Sequence, residues 1–165
     1  MSLMEEHKRF LERFVTFLGE GNVIESKIPR ERRVFVLIKV DKLRDAVTYL
    51  RDNEGFMHIS TITGLDRGED IELIYHLTKK DLSLNLKVRV PYDKPVVPSI
   101  TDILNGAVLY EREIHDLVGV VPEGHPNLKP LVLPEHWPED VHPLLKKWDL
   151  DSIRKKIDEV GARKE

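Results

Sequence analysis

Leu82-Ser83-Leu84-Asn85-Leu86-Lys87-Val88-Arg89-Val90 alternates apolar and polar residues without a break. Period two is the pattern of a β-strand that lays one face on a core and the other in water. Two further strand signals precede it, Phe56 to Leu65 and Ile71 to Thr78, joined by the turn-like stretches DRGED and TKKD. Connections that short join neighbours running in opposite directions, so the three segments predict an antiparallel meander with one wet face.

Toward the N-terminus, Arg32 to Val40 (RRVFVLIKV) is rich in β-branched residues and apolar on both faces, and Val23 to Ile28 alternates more weakly across Pro29. Together they predict a hairpin. Two amphipathic helices flank it. In the first, Phe10, Leu11, Phe14, Val15 and Leu18 recur at helical spacing, Ser2 and Glu5 suit a capping box, and Gly19 and Gly21 supply a stop. In the second, Asp41 is placed as a cap, Leu43, Ala46, Val47 and Leu50 form a stripe, and Gly55 stands at the end. The expected fold class is therefore α+β: a two-layer domain with a mainly antiparallel sheet packed against helices, followed by a proline-rich, extended C-terminal tail.

The tail is read from its prolines. From Pro91 onward the chain is interrupted at Pro95, Pro98, Pro122, Pro126, Pro130, Pro134, Pro138 and Pro143, leaving room for helix between Ser99 and Leu117 with a break at Asn105 and Gly106. Pro122 to Pro143 cannot be regular helix or central strand. A last helix, from about Asp149 to Val160, places Leu150, Ile153, Ile157 and Val160 on one side. Residues 1–121 are thus expected as the folded domain, and 122–165 as an extended, partner-binding tail with a short terminal helix. Leu128, Leu131, Val132, Leu133, Trp137, Leu144, Leu145 and Trp148 are many large apolar groups for such a segment. They need a surface to cover.

Composition excludes several functions. The 165 residues carry no cysteine, which removes disulfides, thiol nucleophiles and thiolate-ligated iron–sulfur or zinc sites within this chain. A net charge of −3 gives no broad basic field for nucleic acid. No segment has the length of a membrane span and no signal peptide is visible, so the expectation is a cytosolic protein that meets a membrane only through partners. Glycine-rich phosphate loops and nucleophile elbows are missing from the sequence.

Chemistry is concentrated in EREIHDLVGVVPEGHP, Glu111 to Pro126. On a helix from Ala107 to Leu117, Tyr110, Ile114 and Leu117 would face inward. Arg112 would lie one turn from Asp116, and Glu111 one turn from His115. Gly119 would end the helix, and Gly124 to Pro126 would turn His125 away from the sheet. Glu113 and Asp116 with a histidine could be a catalytic or metal-binding set, although the spacing matches no hydrolytic zinc helix and His125, His136 and His142 lie on irregular chain. His58 and His76 read as ordinary sheet-face histidines.

The same residues resemble the thirty-kilodalton subunit family of respiratory complex I, the NADH:quinone oxidoreductase, with relatives in membrane-bound [NiFe] hydrogenases and formate hydrogenlyases. The resemblance runs through ERE at Glu111 to Glu113, Asp116-Leu117-Val118, Gly119, Gly124-His125-Pro126, Lys129 and Leu131-Val132, with VPSITDI before and LPEHW and HPLLKKW after. It implies a non-catalytic scaffold and assembly subunit of the peripheral arm, without a cofactor of its own. Such a protein clasps the large, hydrogenase-like (49 kDa-type) subunit beside an iron–sulfur subunit at the cytoplasmic face of the membrane. On that reading Glu111, Arg112, Glu113 and Asp116 anchor the start of the tail, and His125, Trp137, His142, Pro143 and Lys146 lie along the partner. His115 and Val118 stand where quinone-reducing members have aromatics, Leu145 replaces an arginine and so removes a bidentate carboxylate contact, and the prolines around LPEHWPEDVHP resemble the hydrogenase-related, archaeal-type branch. Two other readings stay open. One is a stand-alone metal-dependent hydrolase using His125, Glu135, His136 and Asp140; the other is a regulatory binding module.

Overall fold

A computed structural model describes residues 2–80 and 82–162. Asp81 of the TKKD turn, Met1 and the last three residues of the expected tail lie outside the described residues. The chain runs α1 (Leu3–Leu18), β1 (Val23–Arg30), β2 (Arg33–Ile38), α2 (Leu43–Asp52), β3 (His58–Asp66), β4 (Asp70–Lys79), β5 (Leu82–Pro91), β6 (Val96–Pro98), α3 (Ala107–Val118), β7 (Val121–Glu123) and α4 (Leu150–Ala162).

The meander is present: β3, β4 and β5 pair antiparallel, with Ile71 opposite Val90 and Tyr75 opposite Leu86. The hairpin is present too, as β1 antiparallel to β2. They meet in a way the pattern does not announce. β2 joins β5 in parallel, Val34 beside Leu84 and Val36 beside Leu86, giving one five-stranded sheet of order β1-β2-β5-β4-β3. A second, two-stranded sheet pairs β6 with β7 in parallel.

Alternation decides what each face of the main sheet does. Val34, Val36, Ile71, Leu73, Tyr75, Leu77, Leu84, Leu86, Val88 and Val90 are buried in one cluster with Phe10, Phe14 and Leu18 of α1 and Leu43, Ala46, Val47 and Leu50 of α2. Burying each such side chain contributes about 1.5–3 kcal/mol, so this interface carries most of the stability. On the opposite face polar residues are cross-linked rather than free. Asn85 bonds His76, which bonds Thr63, in a row across β5, β4 and β3. Buried Glu72 accepts from Lys87 and Arg89. Burial opposes the Glu72 charge, but these two donors outweigh it and hold the carboxyl below its ordinary pKa.

Caps follow local chemistry. Ser2 and Glu5 form the predicted capping box of α1, and Gly19 ends it at a φ of 82°. Asp41 does not cap α2: it lies in a short 3-10 turn, Val40–Lys42, and α2 starts without a side-chain cap. Asp149 accepts the Ser152 N–H at the start of α4, which satisfies one of the donors that a helix start leaves open. Leu150 and Ile157 of that helix are exposed and Ile153 and Val160 half-buried, and none of the four joins the core cluster.

Candidate functional site: the end of α3 and the tail strapped across it

Helix α3 packs against the edge strand β3. Gly64 permits the close approach, because a Cβ there would lie 2.7 Å from Cγ2 of Val118. Of the expected inward stripe Ile114 is buried, and Tyr110 and Leu117 are half-buried, Tyr110 packing against the core. Glu111 and Asp116, expected on the outer face, are buried with Ala107 and Val118. The ion pairs read from helical spacing, Glu111 with His115 and Arg112 with Asp116, do not form; each charged group is used elsewhere, and the reason is the rotation of that face toward the core.

Glu111 is fully buried. It accepts the Ile100 N–H at 2.8 Å and the Ser99 hydroxyl at 2.7 Å, closing the loop between β6 and α3. Burial pushes its pKa above the ordinary carboxyl value, against the lowering effect of those two donors. Burial also raises the pKa of the enclosed Tyr75 phenol, and the Glu111 charge adds to the effect. A raised carboxyl pKa means that the folded state binds the proton more tightly than the unfolded chain. Stability from this group is then greatest below about pH 4.3, the unfolded carboxyl range, and falls as pH rises through the folded value. Thermal melts of the wild type and of Glu111→Gln between pH 4 and 8 should converge in slope except in that window, where only the wild type loses stability with rising pH; parallel curves throughout would refute the assignment.

Asp116 and Arg112 hold the tail by its backbone. One carboxylate oxygen of Asp116 accepts the N–H groups of Leu131 and Val132, each at 2.8 Å, and that of Leu133 at 3.3 Å. Arg112 donates to the carbonyls of Lys129 at 2.7 Å and Pro130 at 2.8 Å. Charge-assisted bonds to backbone need no particular tail side chain. Glu113 is half-buried on the same helix.

The histidines complete the strap. His125 does not leave the body: its Nδ1 accepts the Asn127 N–H and its Nε2–H donates to the Val108 carbonyl of α3. Both nitrogens are thereby committed, with Gly124 at a φ of 88° providing the turn before it. His115 Nδ1–H donates to Val120 O, and His142 Nδ1–H to Asp116 O. The His142 ring lies directly on Gly119, which adopts a φ of 73°; a Cβ there would sit 2.5 Å from ring atom Cδ2. Gly119→Ala therefore combines backbone strain with a clash, and we expect a loss of about 1–3 kcal/mol in urea denaturation. A cost near zero would mean that His142 is not seated as described.

Further along, Trp137 Nε1–H donates to Val141 O, the Leu144 N–H reaches Leu117 O, and the Lys146 N–H reaches a carboxylate oxygen of Asp66, whose other oxygen accepts from Tyr92. Val141 and Leu145 are buried, and Leu145 joins the main core. Pro143 is half-buried, Pro126 exposed. Asp66 was not singled out from the sequence; an isolated aspartate at the end of a strand has no pattern to mark it.

Among the described residues no three histidine or carboxylate groups converge on a point that could hold a metal ion. Asp140 pairs with Lys156, and His125 has no free lone pair, so the set His125, Glu135, His136 and Asp140 does not assemble. No helix among the described residues is long and apolar enough to cross a membrane.

The body is α+β, and its ERE helix holds a proline-rich segment against itself. Residues 36–154 match the family model described as respiratory-chain NADH dehydrogenase, 30 Kd subunit, and the chain belongs to that family. It is 33% identical over 124 residues to a subunit of the F(420)H(2) dehydrogenase of Methanosarcina mazei, covering 70% of this chain and 78% of that protein. It is 35% identical over 121 residues to a subunit of the NADH-quinone oxidoreductase of Moorella thermoacetica, covering 71% and 80%. Hydrogenase-4 component G of Escherichia coli is 32% identical over 133 residues, which are 76% of this chain and 24% of that longer protein. In three dimensions the chain is similar to one in the membrane-bound sulfane sulfur reductase, an archaeal respiratory membrane complex: TM-score 0.79, 28% identity, 92% and 91% of the two chains. It is also similar to the trypsin-resistant fragment of Nqo5, with TM-score 0.62, 26% identity, and 73% and 98% coverage.

Proposed function

We propose that this chain is a cofactor-free structural subunit in the peripheral part of a membrane-associated oxidoreductase, at the cytoplasmic face of the membrane. In this reading residues 1–121 form the body and 122–165 the segment that holds a large hydrogenase-like subunit, with an iron–sulfur subunit alongside. The observation that carries it is the outer side of the strapped tail, where Leu131, Val132 and Leu144 are 41%, 52% and 56% exposed. Their backbone is fixed to α3 by Asp116, Arg112 and Leu117, so these side chains are held outward on a stiff support. Apolar groups presented this way are the usual core of an interface. Within this proposal the chain is assigned to the hydrogenase-related branch on the resemblance of the prolines around LPEHWPEDVHP together with His115 and Val118.

The test keeps the tail in place and changes only its outer side. Truncation at residue 122 would remove β7 and the core residue Leu145 as well, and would confuse folding with binding. In the native host, the tagged chain should bring down a large subunit. Val132→Asp with Leu144→Asp should lower that yield about tenfold or more, about 1.4 kcal/mol, with an unchanged melting curve. Recovery of the wild-type chain alone would sink the functional reading; undiminished recovery with the double variant would show that the contact lies elsewhere.

A further inference from the structure

Between the end of α3 and the tail lies a cavity of about 440 Å³, walled by Pro130, Leu133, Pro134, Trp137, Pro138 and Val141. No lysine or arginine lines it. Every N–H that a lining side chain offers is already committed: His115 Nδ1–H to Val120 O, His142 Nδ1–H to Asp116 O and Trp137 Nε1–H to Val141 O. What the lining side chains leave open is acceptors. Glu135 and Glu139 border the cavity, both exposed and neither in an ion pair or hydrogen bond among the described residues.

An aromatic ring, an apolar wall, two open carboxylates and no open side-chain donor are complementary to one kind of group, a cation with several N–H donors and a flat apolar face. We propose that this cavity receives an arginine side chain of the partner subunit. Guanidinium carries five donors in a planar fork, enough for both carboxylates, and a flat face that suits the Trp137 ring, a combination an ammonium does not offer. The cavity's lining residues Pro130, Leu133 and His142 are close neighbours in the chain of the exposed Leu131, Val132 and Leu144. The inference rests on the reading of this chain as part of a larger complex and names the chemistry of the contact.

Two measurements separate the inference from that reading. N-acetyl-arginine amide is titrated into the full chain and followed by the Trp137 indole N–H resonance, against N-acetyl-citrulline amide, which has the same shape without the charge, and N-acetyl-lysine amide. The expected result is a saturable shift with the arginine probe, at least tenfold weaker with the other two and with Glu135→Gln/Glu139→Gln. Equal response to citrulline or lysine, or no effect of the double substitution, overturns the proposal. In the host, Glu135→Gln/Glu139→Gln should release the partner at lower salt than the wild type does, with its melting curve unchanged. Release at the same salt would overturn the cavity as a contact while leaving the subunit reading intact, whereas a wild-type chain with no partner would sink the subunit reading even if the arginine probe binds.

Discussion

Asp116→Ala should free the tail from α3 and cost on the order of 3–5 kcal/mol. A single oxygen accepts three consecutive backbone N–H groups, those of Leu131, Val132 and Leu133, and alanine leaves all three without a partner in a half-buried position. The adjoining contacts are poorly placed to compensate. Arg112 holds two carbonyls one step earlier, and His142 touches the same helix end through Asp116 O, a backbone group that the substitution leaves in place. Amide hydrogen exchange at residues 131–133 should accelerate by orders of magnitude while β4 and β5 stay protected. Asp116→Asn, which keeps an acceptor oxygen but loses its charge, should fall between the two. Wild-type protection at 131–133 in the alanine variant would refute the strap.

The second large effect is expected at Glu111. Glu111→Ala removes a fully buried carboxylate and strands the Ile100 N–H and the Ser99 hydroxyl, which it accepts, and it opens a void next to Ile100 and Tyr75. Unpartnered buried donors and a void act together, and the loss should be about 3–5 kcal/mol in urea denaturation. Glu111→Gln fills the space and retains one acceptor, so it should recover much of the loss. If alanine and glutamine are equally harmful, the hydrogen bonds are not what Glu111 provides.

These two residues also show where sequence reading runs out. The strands announced themselves because alternation is local: Leu84, Leu86, Val88 and Val90 are buried as their period demands. The helices α1 and α2 were legible for the same reason. Family membership was legible in the order of ERE, the Asp116 to Gly119 turn and the later prolines, and the family model confirms it. The partners of Glu111 and Asp116 were not legible. Helical spacing suggests Arg112 and His115, but apart from the Ser99 hydroxyl the actual partners are backbone N–H groups, which every residue except proline possesses and which no side-chain pattern can mark. Burial of Glu111 and Asp116 was hidden by the same fact, since a carboxylate is expected outside unless donors are known to be waiting for it. Nor could the meeting of β2 with β5 be seen, because period two says which face is buried and not which strand lies beside it.

That parallel seam bears on how the chain acquires its structure. Arg33 lies beside Ser83 and Leu37 beside Lys87, so the two halves of the sheet join across about fifty residues, whereas the β1–β2 hairpin and the β3–β4–β5 meander each close over short turns. Closing a long loop carries an entropic cost before any pairing rewards it. During synthesis from the N-terminus, the hairpin and the two helices around it emerge with an unpaired β2 edge and must wait for β5 before that edge is covered. The middle strand of the finished sheet is thus the last of the five to arrive, and until it does the nascent chain displays an apolar strand edge open to other chains.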